Sequence, residues 1–348
     1  MASLPGEYID ANQGGMFGLL RELVDINSGT RNKPGVDLVA DALLRAVADL
    51  PLKAERIPVE DLGDVLVLRT GPADSEKAVL VVGHMDTVFP ADSFFREYRE
   101  DEERAYGPGV IDMKGGLVSA VYALKALNAA GILAHIPVRV VFNPDEEIGS
   151  PRSRAVIAEQ AQRSAAALVL ECGGMKGEAV TGRKGRLGLE LRVRGRAGHA
   201  ADARQGKSSA VLALARKVID IEGLNGVVPG TTLNVGRVEG GTTPNSVPEH
   251  AAASVDVRYT TEEGIADLRA RLEAIAARTD APETSAVLAK VSSRPLMAAT
   301  PGNQGLFRIV EEAAGGLGIT VREEFRSGAS DANERSEERR VGKECRSR

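Results

Sequence analysis

The sequence predicts an α/β protein: a mainly parallel-sheet domain interrupted by a smaller α+β domain, in which two helices cover a four-stranded antiparallel sheet. Three observations predict it. Runs such as 77–83 and 136–144 are almost continuously apolar and β-branched, as in strands buried on both faces. Up to about residue 172 such runs alternate with stretches of helical periodicity, which is the βαβ pattern. After about residue 180 the strand-like segments instead alternate apolar and polar residues, as a sheet with one wet face requires.

Each element has its own reason. "MFGLLRELVDI" (16–26) and "VDLVADALLRAVADL" (36–50) carry apolar residues at helical spacing. "DVLVLRT" (64–70) and "KAVLVVG" (77–83) end in turn residues and read as strands. "KGGLVSAVYALKALNAAG" (114–131) is a helix with Gly131 at its C-terminal end. "IPVRVVFNP" (136–144), "SRAVIAEQAQ" (153–162) and "AALVLEC" (166–172) continue as strand, helix and strand. In the second region "LGLELRVRG" (187–195), "TTLNVGRVEGG" (231–241), "HAAASVDVRYT" (250–260) and "TSAVLAKVSS" (284–293) are half-exposed strands. Two amphipathic helices, 208–224 and 261–279, lie between them. From about residue 301 the pattern returns to helix and then strand.

Composition narrows the functional classes. A chain of 348 residues is long enough for two domains. Net charge of −5, no tryptophan and only twelve Tyr and Phe argue against nucleic-acid and membrane-surface partners. Two cysteines cannot build a disulfide framework, and no apolar run approaches the ~20 residues that span a bilayer. The N-terminus lacks the basic and apolar regions of a signal peptide. The expectation is a soluble cytoplasmic protein.

Four acidic or imidazole signals follow apolar strands or precede a helix. "VLVVGHMDTVFP" (79–90) delivers His84 and Asp86 two positions apart, hence on one side of an extended chain. "YGPGVIDMKGG" (106–116) presents Asp112 where a helix starts, which suits a cation ligand and equally a residue favoured by the helix dipole. "FNPDEEIGS" (142–150) supplies Glu146 and Glu147, whose side chains face differently; a solvated acidic loop is the plainer alternative. Glu171 closes a strand, and a carboxylate there must be paired, metal-bound or wet. An α/β sheet gathers such strand ends on one edge. Carboxylates with an imidazole and no thiolate suit a hydrolytic Zn²⁺ site, while Cys172 reads as a ligand or a buried structural cysteine. In the second region His199 lies in a Gly/Ala-rich turn, and Asn245 and Arg258 flank a strand; Arg258 suits a substrate carboxylate or simply water.

In this order the motifs "GHMDTVFP", "GPGVIDMKGG", "NPDEEIGS", the Glu171 strand end, "GRAGHAA" and "PNSVP…DVR" resemble the M20 zinc peptidase family, in its glutamate carboxypeptidase-like branch. The resemblance covers about residues 15–333. It implies a zinc-hydrolase domain (1–181), an inserted dimerisation and lid domain (182–293), and a second part of the first domain (294–333). It implies two Zn²⁺ per subunit: His84 and Glu171 on one, Glu147 on the other, Asp112 bridging. Asp86 would orient His84, and Glu146 would be the general base. His199 would stabilise the oxyanion across a homodimer, and Asn245 and Arg258 would bind a small peptide or acyl-amino-acid substrate. The implied activity is hydrolysis of a C-terminal amide bond with release of glutamate or a similar amino acid. An alternative is an N-acyl amino acid deacylase resembling acetylornithine deacetylase or succinyl-diaminopimelate desuccinylase. The family also has a C-terminal histidine on the second zinc, whereas the four histidines here are His84, His135, His199 and His250. Residues 334–348 therefore read as a charged, disordered or non-native tail, and an impaired dimer-forming fragment is a further alternative.

Overall fold

A computed structural model describes residues 5–71, 77–174, 176–202 and 206–334. The chain divides into two compact units, one from the described parts of 1–179, 308–322 and 330–348, the other from those of 180–307 and 323–329.

The first unit opens with helices α1 (Pro5–Ala11), α2 (Gln13–Asp25) and α3 (Lys33–Ala46), the last capped by the Asn32 side chain. Strands β1 (Lys53–Ile57), β2 (Val65–Arg69) and β3 (Ala78–His84) follow, then a short hairpin of β4 (Arg99–Glu100) and β5 (Ala105–Tyr106). A wide irregular turn, Val110–Lys114, enters α4 (Gly115–Ala129); β6 (Val138–Asn143), α5 (Arg154–Gln162) and β7 (Ser164–Val169) complete this part.

The sheet order is β1-β2-β6-β3-β7. β3 lies between β6 and β7, parallel to both, whereas β1 and β2 form an antiparallel edge. Alternate residues of the strands feed two cores. Leu66, Leu68, Val140 and Phe142 pack with α2, α3 and α4, while Val65, Val67, Leu80, Val82 and Val141 pack with Ile157 and Ala161 of α5. Each such fully buried side chain contributes roughly 1.5–3 kcal/mol. Sheet burial on both faces explains the continuous apolar runs.

The second unit begins in β8 (Glu178–Arg183), followed by β9 (Gly185–Arg194), β10 (Gly198–His199), α6 (Ala210–Glu222), β11 (Thr231–Gly240), β12 (Ser246–Val247), β13 (His250–Tyr259), α7 (Glu262–Ala277) and β14 (Ser285–Arg294). The sheet runs β11-β13-β9-β14, antiparallel throughout. Its buried face packs on α6 and α7, which are capped by Ser209 and Thr261. Buried Lys217 of α6 pairs with Asp280 at 2.8 Å and donates to the carbonyls of Ile275 and Arg278, closing the C-terminal end of α7. Last come α8 (Pro301–Gly316) and β15 (Arg322–Arg326), which pairs with β8.

Two boundaries differ from expectation. Residues 294–307 belong to the second unit, because Arg183 and Met297 exchange both backbone hydrogen bonds and the Asn303 side chain donates to Thr181 and Ala298. Glu334, the first residue of the expected tail, is buried and pairs with Arg154 at 3.1 Å, so it is part of the folded body. Residues 335–348 lie outside the described residues. Among the described residues no helix is long and apolar enough to cross a membrane.

Candidate metal centre

Three neighbouring parallel strands end on one edge of the first sheet, and their ends carry the predicted acids and the histidine. His84 is the last residue of β3 and sits in register with Asn143, the last of β6. Glu171 follows two residues after β7, after Leu170 has donated its N–H to the Val82 carbonyl. Asp112 lies just before α4 with an extended backbone (φ −127°, ψ 92°), outside the helix rather than capping it.

The donor atoms converge. One ligand atom each of His84, Asp112 and Glu147 lie within 4.8 Å of one another; the same holds for His84, Glu146 and Glu171, and for Asp112, Glu171 and Cys172. His84 Nε2 is 3.1 Å from Asp112 Oδ1 and 3.9 Å from Glu171 Oε1. The other ring nitrogen, Nδ1, is 2.9 Å from the carbonyl oxygen of Asp86 and 3.4 Å from its carboxylate. Asp86 thus orients the imidazole mainly through its backbone.

The Asp86 carboxylate has a second role. Fully buried, it accepts the backbone N–H groups of Glu146 at 3.1 Å and Glu147 at 3.3 Å, and the Thr30 hydroxyl at 2.7 Å. It therefore fixes the turn that bears both glutamates.

Electrostatics fit a cation. Burial pushes the Glu147 carboxyl up to about 7; His84 opposes this, and the charges of Asp112, Asp86 and Glu171 add to it. Burial disfavours a charged His84, but hydrogen bonds to Asp112 and Asp86, with the charges of Asp86 and Glu171, outweigh it and hold the imidazole well above its usual value. Crowded carboxylates around one imidazole are a donor set that a divalent cation satisfies. Cys172 is half-buried beside Asp112 and Glu171, not sealed in the core.

Packing ties the loops together. A side chain at Gly116 would place a Cβ 2.1 Å from the Leu170 carbonyl, so the Asp112 and Glu171 loops touch only because this residue is glycine. Buried Lys114 donates to the Ile26 carbonyl at 2.9 Å, anchoring the Asp112 loop on the end of α2. Burial pushes the Lys114 ammonium down to about 7 against the opposing charge of Asp25.

The remaining predicted residues lie in the second unit. His199 and Asn245 come together where β10 pairs with β12: Ala200 donates to the Asn245 carbonyl at 3.0 Å, and His199 Nδ1 accepts from Ala201 at 3.2 Å. Arg258 is half-buried and paired, its Nε 2.7 Å from Asp256, which Arg186 also holds at 2.6 Å. Partial burial would raise the Asp256 pKa, but hydrogen bonds from the two arginines win and lower it.

Thr30, Lys114 and the residues behind the glutamate turn escape sequence reasoning. Their partners are as many as 188 positions away, so no local spacing marks them.

A profile of peptidase family M20/M25/M40 matches residues 80–341. Over 321 residues the chain is 28% identical to carboxypeptidase G2 of Pseudomonas sp. (strain RS-16), covering 90% of this chain and 76% of that one. It is 31% identical over 250 residues to acetylornithine deacetylase of Myxococcus xanthus, covering 66% of this chain and 63% of the relative. Aminopeptidase PepT from Bacillus cereus shares the fold, with a TM-score of 0.75 at 22% identity over 94% of this chain and 88% of that one.

Proposed function

Because the chain belongs to peptidase family M20/M25/M40, a metal-dependent family of hydrolases, we propose that it is a zinc-dependent amidohydrolase. Its reaction is hydrolysis of a C-terminal amide bond, with release of glutamate or a similar amino acid from a peptide or acyl conjugate. The observation that carries this reading is the convergence of His84, Asp112, Glu147 and Glu171, with Glu146 beside them, within 4.8 Å groups at one sheet edge.

In this reading His84, Asp112, Glu147 and Glu171 would hold the metal. A divalent cation bound there supplies Lewis-acid polarisation of a carbonyl and makes a coordinated water more acidic. Glu146, whose N–H is pinned to Asp86, takes the proton of the attacking water and returns it to the leaving amine. Asp86 and its carbonyl keep the Nε2 side of His84 turned to the acids. Arg258 pairs with the substrate's terminal carboxylate, Asn245 contacts the substrate, and His199 of the neighbouring subunit in a homodimer donates to the developing oxyanion. A cavity of about 600 Å³, lined by Thr30, Arg31, Val88, Ile148 and Glu147, adjoins the centre and accommodates a small conjugate.

The 31% identity to an acetylornithine deacetylase favours a second reading, deacylation of N-acyl diamino acids. Assaying N-acyl glutamates against N-acetyl and N-succinyl diamino acids, with Zn²⁺ added, separates the two. The proposal expects kcat/KM at least tenfold higher on the glutamate conjugates. A preference for diamino acids would transfer the proposal to the deacylase reading, and no turnover of either class would end both.

A further inference from the structure

The turn that carries Glu146 and Glu147 is held on its other side by residues far along the chain. It ends in Gly149 (φ 92°) and then Ser150 (φ 52°), a fully buried non-glycine residue in the left-handed region. Such a backbone is strained and persists only where its surroundings enforce it.

The enforcing partner is Asp331. The Ser150 hydroxyl donates to Asp331 Oδ1, and Asp331 Oδ2 accepts from Asn143 Nδ2 at 2.8 Å. Asn143 Nδ2 also reaches Ser153 Oγ at 3.2 Å, and that hydroxyl donates to Asp145, the residue before Glu146. Asp145 accepts from the backbone of Arg152 at 2.7 Å as well. Asp331 itself is buried in the tight turn Asp331–Asn333, which the reciprocal Ser330–Asn333 cap closes. The turn is therefore clamped twice: Asp86 holds its N–H groups, and Asp331 holds the two residues that bracket it, Asn143 and Ser150.

We propose that Asp331 is a positioning residue for the Glu146–Glu147 turn, stabilising left-handed Ser150 so that both glutamates stay aimed at the metal centre. The proposal rests on the metal-centre reading above. It touches neither metal nor substrate directly; its effect runs through backbone conformation.

Two substitutions at one position isolate that effect. Ser150→Ala and Ser150→Gly both delete the hydroxyl, but only glycine adopts φ near 52° without strain. Zn²⁺ affinity of the purified full chain, measured by competition with a chromophoric chelator, should fall about tenfold or more in Ser150→Ala. In Ser150→Gly it should stay within about threefold of wild type. Asp331→Asn keeps one acceptor for Asn143 but meets the Ser150 hydroxyl with a donor, so it should also lose about tenfold. Adding Ser150→Gly to it should recover most of that loss. Thermal melting of every variant accompanies the titration, so that a mere loss of fold is visible. Equal affinities for the alanine and glycine variants would overturn the proposal, even if Asp331→Asn fails to fold. So would unchanged affinity in a folded Asp331→Asn. A wild-type chain that binds no Zn²⁺ would overturn this proposal and the metal-centre reading together. Wild-type binding without turnover would count against the proposed reaction alone.

Discussion

Thr30 gives one of three hydrogen bonds received by the Asp86 carboxylate, and that carboxylate has no exposed surface. Replacing it with valine keeps the shape and removes the donor, leaving a buried charge short of a partner. Thr30→Val should fold, yet bind Zn²⁺ about tenfold more weakly in a chelator competition. Undiminished affinity would show that the two backbone N–H groups suffice to hold Asp86. The residues that would hold a cation are readable because each follows an apolar strand or precedes a helix, where a titratable side chain stands out. Thr30, Asn143, Ser150 and Asp331 were not, since a buried hydrogen bond between distant residues leaves no periodic trace. Asp86 was only half legible: its nearness to His84 follows from spacing, but its hold on the glutamate turn depends on the neighbouring strand.

At the scale of elements, the antiparallel edge is joined to α3 by a group of charges. Lys33 and Arg56 both contact Asp64, at 2.6 and 2.7 Å, and Arg56 also reaches Asp37 and Asp41. Partial burial would raise the Asp64 pKa, but hydrogen bonds from Lys33, the Val59 N–H and Arg56 outweigh it and lower it. A lowered folded-state pKa means stability that is present above the unfolded value of about 3.9 and is lost as pH falls through the folded value. Asp64→Asn should therefore cost about 1–3 kcal/mol in urea unfolding at pH 7. The gap between variant and wild type should narrow as pH drops below about 4. A gap independent of pH would show that Asp64 acts by packing alone. The strand inside this group, β1, was not legible: "KAERI" lies at the sheet edge and is largely exposed, so it carries no continuous apolar run. The interior strands β2, β3 and β6 were legible because both their faces are buried. Expected and observed strand ends differ most at β7, which stops at Val169, so Glu171 stands in a loop rather than on the strand.

For the whole molecule, the change from continuous to alternating strands marks the passage from one unit to the other near residue 180. The sequence pattern puts the return passage at 294, whereas residues up to 307 belong to the second unit. The segment after β14 is held by backbone pairing of Met297 to Arg183, and backbone pairing has no sequence signature. Burial, with the charges of Asp112, Asp86 and Glu171, pushes the Glu147 carboxyl up to about 7, a cost that a cation bound among these acids would relieve. The central claim is that these residues bind Zn²⁺ and use it to hydrolyse an amide, with Glu146 moving the proton. Its most direct test is a Zn²⁺ titration into the chelator-stripped full chain, with metal binding and release of glutamate from an N-acyl glutamate followed together, beside Glu146→Gln. The account predicts that wild-type turnover rises with bound metal and saturates with it. Glu146→Gln should bind the metal but turn over at least about 100-fold more slowly. Turnover that persists in the stripped chain, or a Glu146→Gln variant as fast as wild type, would contradict it.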